Sequence, residues 1–392
     1  MDVERLRSET PGCRERVHLN NAGAALMPQP VLHAIQEHIT LESMIGGYEA
    51  ADARREAQEG AYESVARLLG TRPQNVAFTE SATTSFAQAM SSIPFQRDDV
   101  ILTTRNDYVS NQIQFLSLQE RFGVRVLRAP DRSEGGVDVD ALADLVRRDR
   151  PRLVCVTHVP TNSGLVQDVR AVGSVCQEAG VLYLVDACQS VGQMPVDVHD
   201  LRCDFLSATA RKFLRGPRGA GFLYVSDRVL EQGLAPLFVD MKGAEWIAED
   251  RYRVAPDALR FETWEHAPAL VLATGEAARY ATSVGLEAIR DRVRALAARL
   301  REALGAIEKV RVLDRGRELC GIVSVWIDGR DPRDILMALR ARRINVSAQI
   351  RAYAVIDYDN KGVAASLRLS PHYYNTEEEL DRAVSAIREL VR

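Results

Sequence analysis

Between residues 76 and 226, short β-branched and aromatic runs alternate with stretches of helical periodicity. The strand-like runs are VAFT (76–79), VILTT (100–104), VRVLRAP (124–130), RLVCVTHV (152–159), VLYLVDA (181–187), DFLSATA (204–210) and AGFLYVS (220–226). Segments such as Ser85–Met90, Val139–Arg148 and Val166–Ala179 carry helical spacing between them. Strands alternating with helices predict an α/β fold with a mostly parallel sheet covered on both faces. Ligands of such sheets gather beyond the carboxyl ends of the strands.

The C-terminal third has a different rhythm. Leu286–Leu304 reads as a long amphipathic helix, followed by a strand GIVSVWI (321–327), a helix Asp331–Arg343 and the strands INVSA and SLRLS. The last helix opens on Thr376 with Glu379 three residues on, the signature of a capping box. This predicts a small α+β domain over 271–392, beside a large domain over 16–270 and an N-terminal arm over 1–15. The helical segment Gln29–Glu42 is expected to join the small domain or bridge to a partner subunit.

A chain of 392 residues with 46% hydrophobic and 27% charged residues is that of an ordinary globular protein. Its net charge of −4 comes with arginines spread along the chain, which argues against nucleic acid. The N-terminus is charged and lacks the apolar stretch of a signal peptide, and no run approaches a membrane span, so a cytoplasmic protein is expected. The six cysteines show no CxxC spacing and read as small buried hydrophobes. No metal-ligand spacing occurs.

Lysine is scarce: Lys212, Lys242, Lys309 and Lys361 are the four in the chain. Lys212 lies in FLSATARKFLRGPRGAGFLYV, between two strand-like runs and before a Gly/Arg-rich turn, while LYLVDACQS ends an earlier apolar run on Asp186. A strand-end Asp and a Lys before a Gly-rich turn suit pyridoxal phosphate chemistry. The lysine forms a Schiff base, and the carboxylate keeps the pyridine nitrogen protonated so that the ring draws electrons from Cα.

Thr79-Glu80-Ser81-Ala82-Thr83-Thr84 follows the first strand and opens a helix, where free backbone N–H groups make an anion site; an ordinary Ser/Thr helix cap reads the same. Tyr108, after VILTT, could stack on an aromatic ring or be a half-buried surface residue. Arg368, in SLRLS, could clamp a carboxylate in a bidentate way or be a solvated side chain on an edge strand.

Taken together, these residues resemble the class V aminotransferase superfamily: cysteine desulfurases, isopenicillin N epimerase-like proteins and the C–S lyases of ergothioneine biosynthesis. The resemblance runs from HLNNAG (18–23) through VDACQS, TARKFLRGPRGAGFLYV and RFETWE (260–265) to YYNTEEELDRAV (373–384). It implies a fold-type I pyridoxal phosphate enzyme with a seven-stranded sheet, working as a homodimer on an amino-acid substrate, with the active site at the subunit interface. Lys212 then falls on the Schiff-base lysine, Asp186 on the partner of the ring nitrogen and Gln189 on that of the phenolic oxygen. Ser81, Ala82, Thr83, Thr209 and Arg211 fall around the cofactor, Tyr108 on the ring-stacking and catalytic position, and Arg368, Asn21 and Asn162 on the substrate side. The partner's RFE loop is implied to reach the phosphate.

Three departures shift the expected chemistry. Arg211 stands where desulfurases carry His, Ser347–Ala365 contains no Cys where a desulfurase keeps its sulfur acceptor, and Glu265 replaces a phosphate-binding Thr. They point to a C–S β-lyase on a cysteine S-conjugate or S-oxide. Epimerisation or transamination from the same carbanion is the alternative, and a non-catalytic cofactor-binding protein a lesser one. The loops 44–50, 236–250 and 347–362 are expected to shape the pocket.

Overall fold

The computed structural model describes residues 1–391. Its centre is a seven-stranded sheet built from β1 (Val76–Thr79), β2 (Val100–Thr104), β3 (Arg125–Ala129), β4 (Leu153–Thr157), β5 (Leu182–Asp186), β6 (Phe205–Thr209) and β7 (Gly221–Val225). Their order is β1-β7-β6-β5-β4-β2-β3. β7 runs antiparallel to both its neighbours, and the other pairings are parallel. No helix separates β6 from β7, so a short return can only bring the chain back antiparallel.

Alternation of side chains explains how the sheet is covered. Val154 and Val156 of β4 and Tyr183 and Val185 of β5 enter one core, while Leu153, Cys155, Leu182 and Leu184 enter another on the opposite face. The helix expected from Val166 starts instead at Val169, because Asp168 caps it by accepting from the Ala171 amide at 3.0 Å.

A four-stranded antiparallel sheet in the C-terminal third has the order Val310–Val312, Val323–Ile327, Ala365–Leu369, Ser347–Ile350. Arg368 therefore sits on an interior strand rather than an edge. INVSA does not form one strand. Ile344–Asn345 pairs in parallel with Val17–His18, and Ser347–Ile350 pairs with Ala365–Leu369. This pairing, with a bridge from Asn20 to Ser370, lays the HLNNAG strap across the strand that carries Arg368. The final helix keeps its capping box between Thr376 and Glu379.

Among the described residues no helix is long and apolar enough to cross a membrane, and no cluster of metal-ligating side chains is present.

Candidate active site

Lys212 follows β6 in a tight turn. The Arg215 amide closes onto the Lys212 carbonyl at 2.9 Å and the Gly216 amide onto that of Ala210 at 2.8 Å. The turn is clamped from below by Arg215, whose guanidinium donates to Leu26 O at 2.8 Å and to the hydroxyls of Tyr373 and Thr10, both at 2.5 Å. It also stacks over the Tyr374 ring at 4.5 Å. His372 Nε2 meets Phe213 O at 2.8 Å. The YYNT segment thus holds the lysine turn in place. Burial pushes the Lys212 ammonium below its usual pKa, against the opposing pull of Cys188 and Asp186, and so favours the neutral amine that attacks a carbonyl.

Asp186 ends β5, buried at 4% exposure. Its Oδ1 accepts from the Cys188 amide at 2.9 Å, and its Oδ2 accepts from Asn111 Nδ2 at 3.0 Å. Asn111 also reaches Asp107 Oδ1 at 3.2 Å. Asp107 is buried and accepts further bonds from Thr103, Thr157, Gln112 and the Tyr108 amide. Burial raises its pKa despite these donors. A second carboxylate thus stands behind the first, with one amide between them.

The stretch expected to bind an anion lies where the helix Ala82–Ser91 begins. Ser81 caps it, accepting from the Thr84 amide at 3.1 Å, and Thr83 projects into solvent. Gly221 opens β7 directly opposite Thr209, and a Cβ there would lie 2.5 Å from Ser81 C and 2.6 Å from Ala82 N. Glycine at this point lets Thr209 and the helix N-terminus share one corner.

On the other side, a cavity of about 230 Å³ is lined by Ala22, Gly23, Tyr108, Val109, Thr161, Arg211, Lys212, Gln349, Tyr353 and Arg368. The Lys212 Nζ stands 5.7 Å from the centre of the Tyr108 ring. Arg368 Nη1 donates to Thr161 O and Oγ1, each at 2.8 Å, and Nη2 to Asn20 Oδ1 at 3.2 Å. Its Nε is buried without a partner, and burial brings its pKa down to about 10. Arg211 donates to Gly23 O.

Asn21 and Asn162, expected on the substrate side, do not line this cavity. Asn21 donates to His18 O at 3.2 Å and Ser370 O at 2.7 Å and accepts from the Tyr374 hydroxyl, so its amide braces the strap. Asn162 donates to Asp357 at 2.5 Å. Thr161, Gln349 and Tyr353 line the cavity instead, and Asn20 reaches it through its hydrogen bond with Arg368. Sequence reading also missed Asn111, which lies in the first turn of the helix Val109–Phe122 and reaches back to Asp107 before its cap.

The RFE segment is engaged within its own protomer. Arg260 donates to the carbonyls of Ala255, Leu230 and Leu234, and the buried Glu262 pairs with Lys242 at 2.7 Å and accepts from Tyr62 and the Phe78 amide. Glu265 is exposed. Of the loops expected to shape the pocket, 347–362 supplies Gln349 and Tyr353, whereas 44–50 and 236–250 contribute nothing to the lining of this cavity.

A mostly parallel sheet with a buried acid at one strand end, a lysine in the turn after the next strand and an open helix N-terminus beside them is the plan of a fold-type I pyridoxal phosphate enzyme. The chain belongs to the class V aminotransferase family, whose profile (Aminotransferase class-V) matches residues 17–383. It is 30% identical to a probable cysteine desulfurase of Methanothermobacter thermautotrophicus, over 100% of this chain and 98% of that protein. The apo structure of a cysteine desulfurase from Thermococcus onnurineus NA1 superposes with a TM-score of 0.91 at 25% identity, covering 99% of this chain and 98% of that one. The cystine C–S lyase C-DES, solved with its product cysteine persulfide, shares the fold with a TM-score of 0.86 at 22% identity, covering 97% and 99%.

The cofactor is pyridoxal phosphate, and the residues present fit it. Gln189 Nε2 is spent on Ala22 O and Thr161 Oγ1, but its Oε1 is buried without a partner, leaving one end of the amide for a bound group.

Proposed function

We propose that this protein is a C–S β-lyase that cleaves a cysteine S-conjugate or S-oxide to a thiol or sulfenate, pyruvate and ammonia. The observation that supports this over persulfide formation is the wall built by residues 347–365. That segment has no cysteine and is folded into the strand Ser347–Ile350 and the helix Val355–Lys361. Its helix Val355–Lys361 is pinned by Asp357, which pairs with Lys361 at 2.6 Å and accepts from Asn162, while Arg351 pairs with Asp359. Cys188, partly buried beside Asp186, has its thiol pushed well above the usual pKa by desolvation and by that carboxylate, which makes it a poor nucleophile.

Bound pyridoxal phosphate supplies the electron sink at Cα. Ser81, Ala82, Thr83 and Thr209 would hold the phosphate, Asp186 would keep the ring nitrogen protonated and Tyr108 would pack on the ring. Arg368 fixes the α-carboxylate with its fork of donors. Lys212 would remove the Cα proton; the Cβ–S bond would then break, and sulfur would leave with the electron pair. Water completes the release of pyruvate and ammonia.

The working unit in this proposal is a homodimer formed by a large domain over 16–270 and a small one over 271–392 in each protomer. The exposed apolar residues Met44, Tyr48, Phe238, Met241, Trp246 and Tyr252 support it, five of them more than 65% exposed. Light scattering that returned a monomer at micromolar concentration would end that part of the proposal.

The function is tested by incubating holoenzyme with amino acids and S-substituted cysteines, assaying pyruvate, free thiol, keto acid and Cα deuterium exchange. Stoichiometric pyruvate and thiol is the expected outcome. Keto acid without thiol, or deuterium exchange alone, would replace the lyase with an aminotransferase or an epimerase.

A further inference from the structure

We propose that the cleft between the loop 132–137, the segment 158–170 and the C-terminal third is a second ligand site, which takes a small anion of the diphosphate class. It is separate from the site around Lys212 and stands whether or not the lyase reading holds.

The cleft encloses about 490 Å³ and shares no lining residue with the cavity around Lys212, so neither cofactor nor amino acid bound there fills it. Small-molecule sites span about 300–1,000 Å³, which leaves room for a compact ligand. The exposed apolar residues assigned above to the dimer contact do not line it either. Its walls come from two parts of the chain. Arg132, His158, Gln167 and Arg170 lie on the side of the large sheet, and Arg290, Arg294 and Arg317 on the side of the C-terminal third. Backbone bonds already join the two sides: the Val166 amide donates to Glu318 O at 3.0 Å, and the Cys320 amide to Gly164 O at 2.8 Å.

Donors without acceptors gather along this cleft. Gln167 is 2% exposed, and its Oε1 accepts from the Val137 amide at 2.8 Å. That bond fixes which way the side-chain amide lies and leaves Nε2 buried with no partner. Arg294 Nε and His158 Nδ1 are likewise buried and unpartnered. Arg132, half-buried, meets no acid among the described residues. The other four arginines hold acids: Arg170 with Asp200, Arg290 with Asp291, Arg294 with Glu318 and Arg317 with Glu134. Each of those acids is more than a third exposed, and such pairs are weak enough to yield to a bound ligand. Only Asp168 and Glu318 bring carboxylates to the lining, and Asp168 is spent on capping the helix Val169–Ala179. A carboxylate offers one charge and two oxygens in one plane. A phosphoryl group offers up to two charges and three oxygens, and two linked phosphoryl groups can meet guanidinium forks on both walls.

The test is a calorimetric titration of holoenzyme with inorganic pyrophosphate, at an ionic strength held constant with sodium chloride so that screening does not change. One pyrophosphate per chain should bind with a dissociation constant below about 1 mM, and orthophosphate more weakly. ADP, run in parallel, separates two sources of the same chemistry: binding as tight as pyrophosphate assigns an esterified diphosphate, and weaker binding a free one. Arg132→Gln and Arg294→Gln should each weaken pyrophosphate about 10-fold, the scale of one charge-assisted pair, with cofactor content and absorption band unchanged. Arg368→Ala should leave the affinity as it was. No saturable binding by the native protein overturns the proposal and leaves the buried donors to water, even if a variant fails to fold. Affinity that survives both Arg132→Gln and Arg294→Gln overturns it as well. So does affinity lost in Arg368→Ala alone, which would put the anion in the cavity around Lys212.

Discussion

At the scale of single residues, the two groups to which the proposal gives the central chemistry are the easiest to read. Lys212 is one of four lysines, and Asp186 closes an apolar run that could only be a strand. Arg368 was visible but ambiguous, because sequence does not say whether its strand is interior. The fold settles this through cross-strand partners on both sides, Ser324 and Ser347. Arg368→Ala should raise KM about 30-fold or more, since truncating one partner of a desolvated charge pair costs 2–5 kcal/mol. Lysine should rescue poorly because an ammonium lacks the planar fork. An unchanged kcat/KM would remove the clamp. Asn111 was not legible, because its importance depends on two acids brought together from β5 and from the loop after β2. Asn111→Ala leaves Asp186 and Asp107 without the amide that separates them. Turnover should fall about 10-fold, short of the 10²–10³ lost with a direct donor, while KM barely moves. A larger effect on KM than on kcat would place Asn111 in substrate binding instead.

At the scale of elements, all seven strands of the large sheet fall inside the runs read from sequence, since each is a short apolar stretch bounded by turn residues. What sequence could not show is pairing across long distances. The split of INVSA depends on Val17 and His18, over 300 residues away in the chain. The hairpin Ala244–Ala248/Arg251–Val254 was read as a pocket loop because its strands carry no buried face to leave a pattern. Close approach of backbones is equally hidden. Gly192 has φ of +90°, and a Cβ on it would lie 2.3 Å from Leu214 N and 2.4 Å from Phe213 C, within the turn that carries Lys212. Gly192→Ala should destabilise the protein by about 3 kcal/mol and lower cofactor occupancy, through strain and displacement of the lysine turn. Gly180→Ala is the control. It also has positive φ, but its Cβ would meet nothing within 4 Å, so its cost should stay near 1 kcal/mol and cofactor content should not change. Equal effects in denaturant unfolding would mean that backbone conformation, not the contact with the turn, sets the cost.

At the scale of the whole molecule, stability should respond to acid through histidines that folding keeps neutral. His372 is fixed in one tautomer: Nδ1 accepts from the Tyr373 amide at 2.9 Å, so Nε2 carries the proton and donates to Phe213 O. Burial, helped by nearby Arg215, holds its pKa well below the usual value. His18 is lowered in the same direction, again first by burial. His158, buried beneath the end of β5, is lowered by burial to about 4. A group whose folded pKa is depressed contributes stability above its unfolded pKa and loses it as pH falls toward the folded value. For His158 that window runs from about 6.5 down to 4, and the loss at pH 4 amounts to about 3 kcal/mol. Buried acids act in the opposite sense: Asp131, pushed up to about 6, gains a proton in the folded state first and stabilises it as pH falls. The net acid response therefore mixes both, and the clean measurement is a difference. His158→Asn should be less stable or equal at pH 7, yet its unfolding free energy should fall less steeply than that of the native protein between pH 6.5 and 4. The gap between the two curves should change by about 3 kcal/mol over that interval. Parallel curves would show that His158 takes up its proton as readily in the folded chain as in the unfolded one, and that the strand end next to Asp186 is open to water.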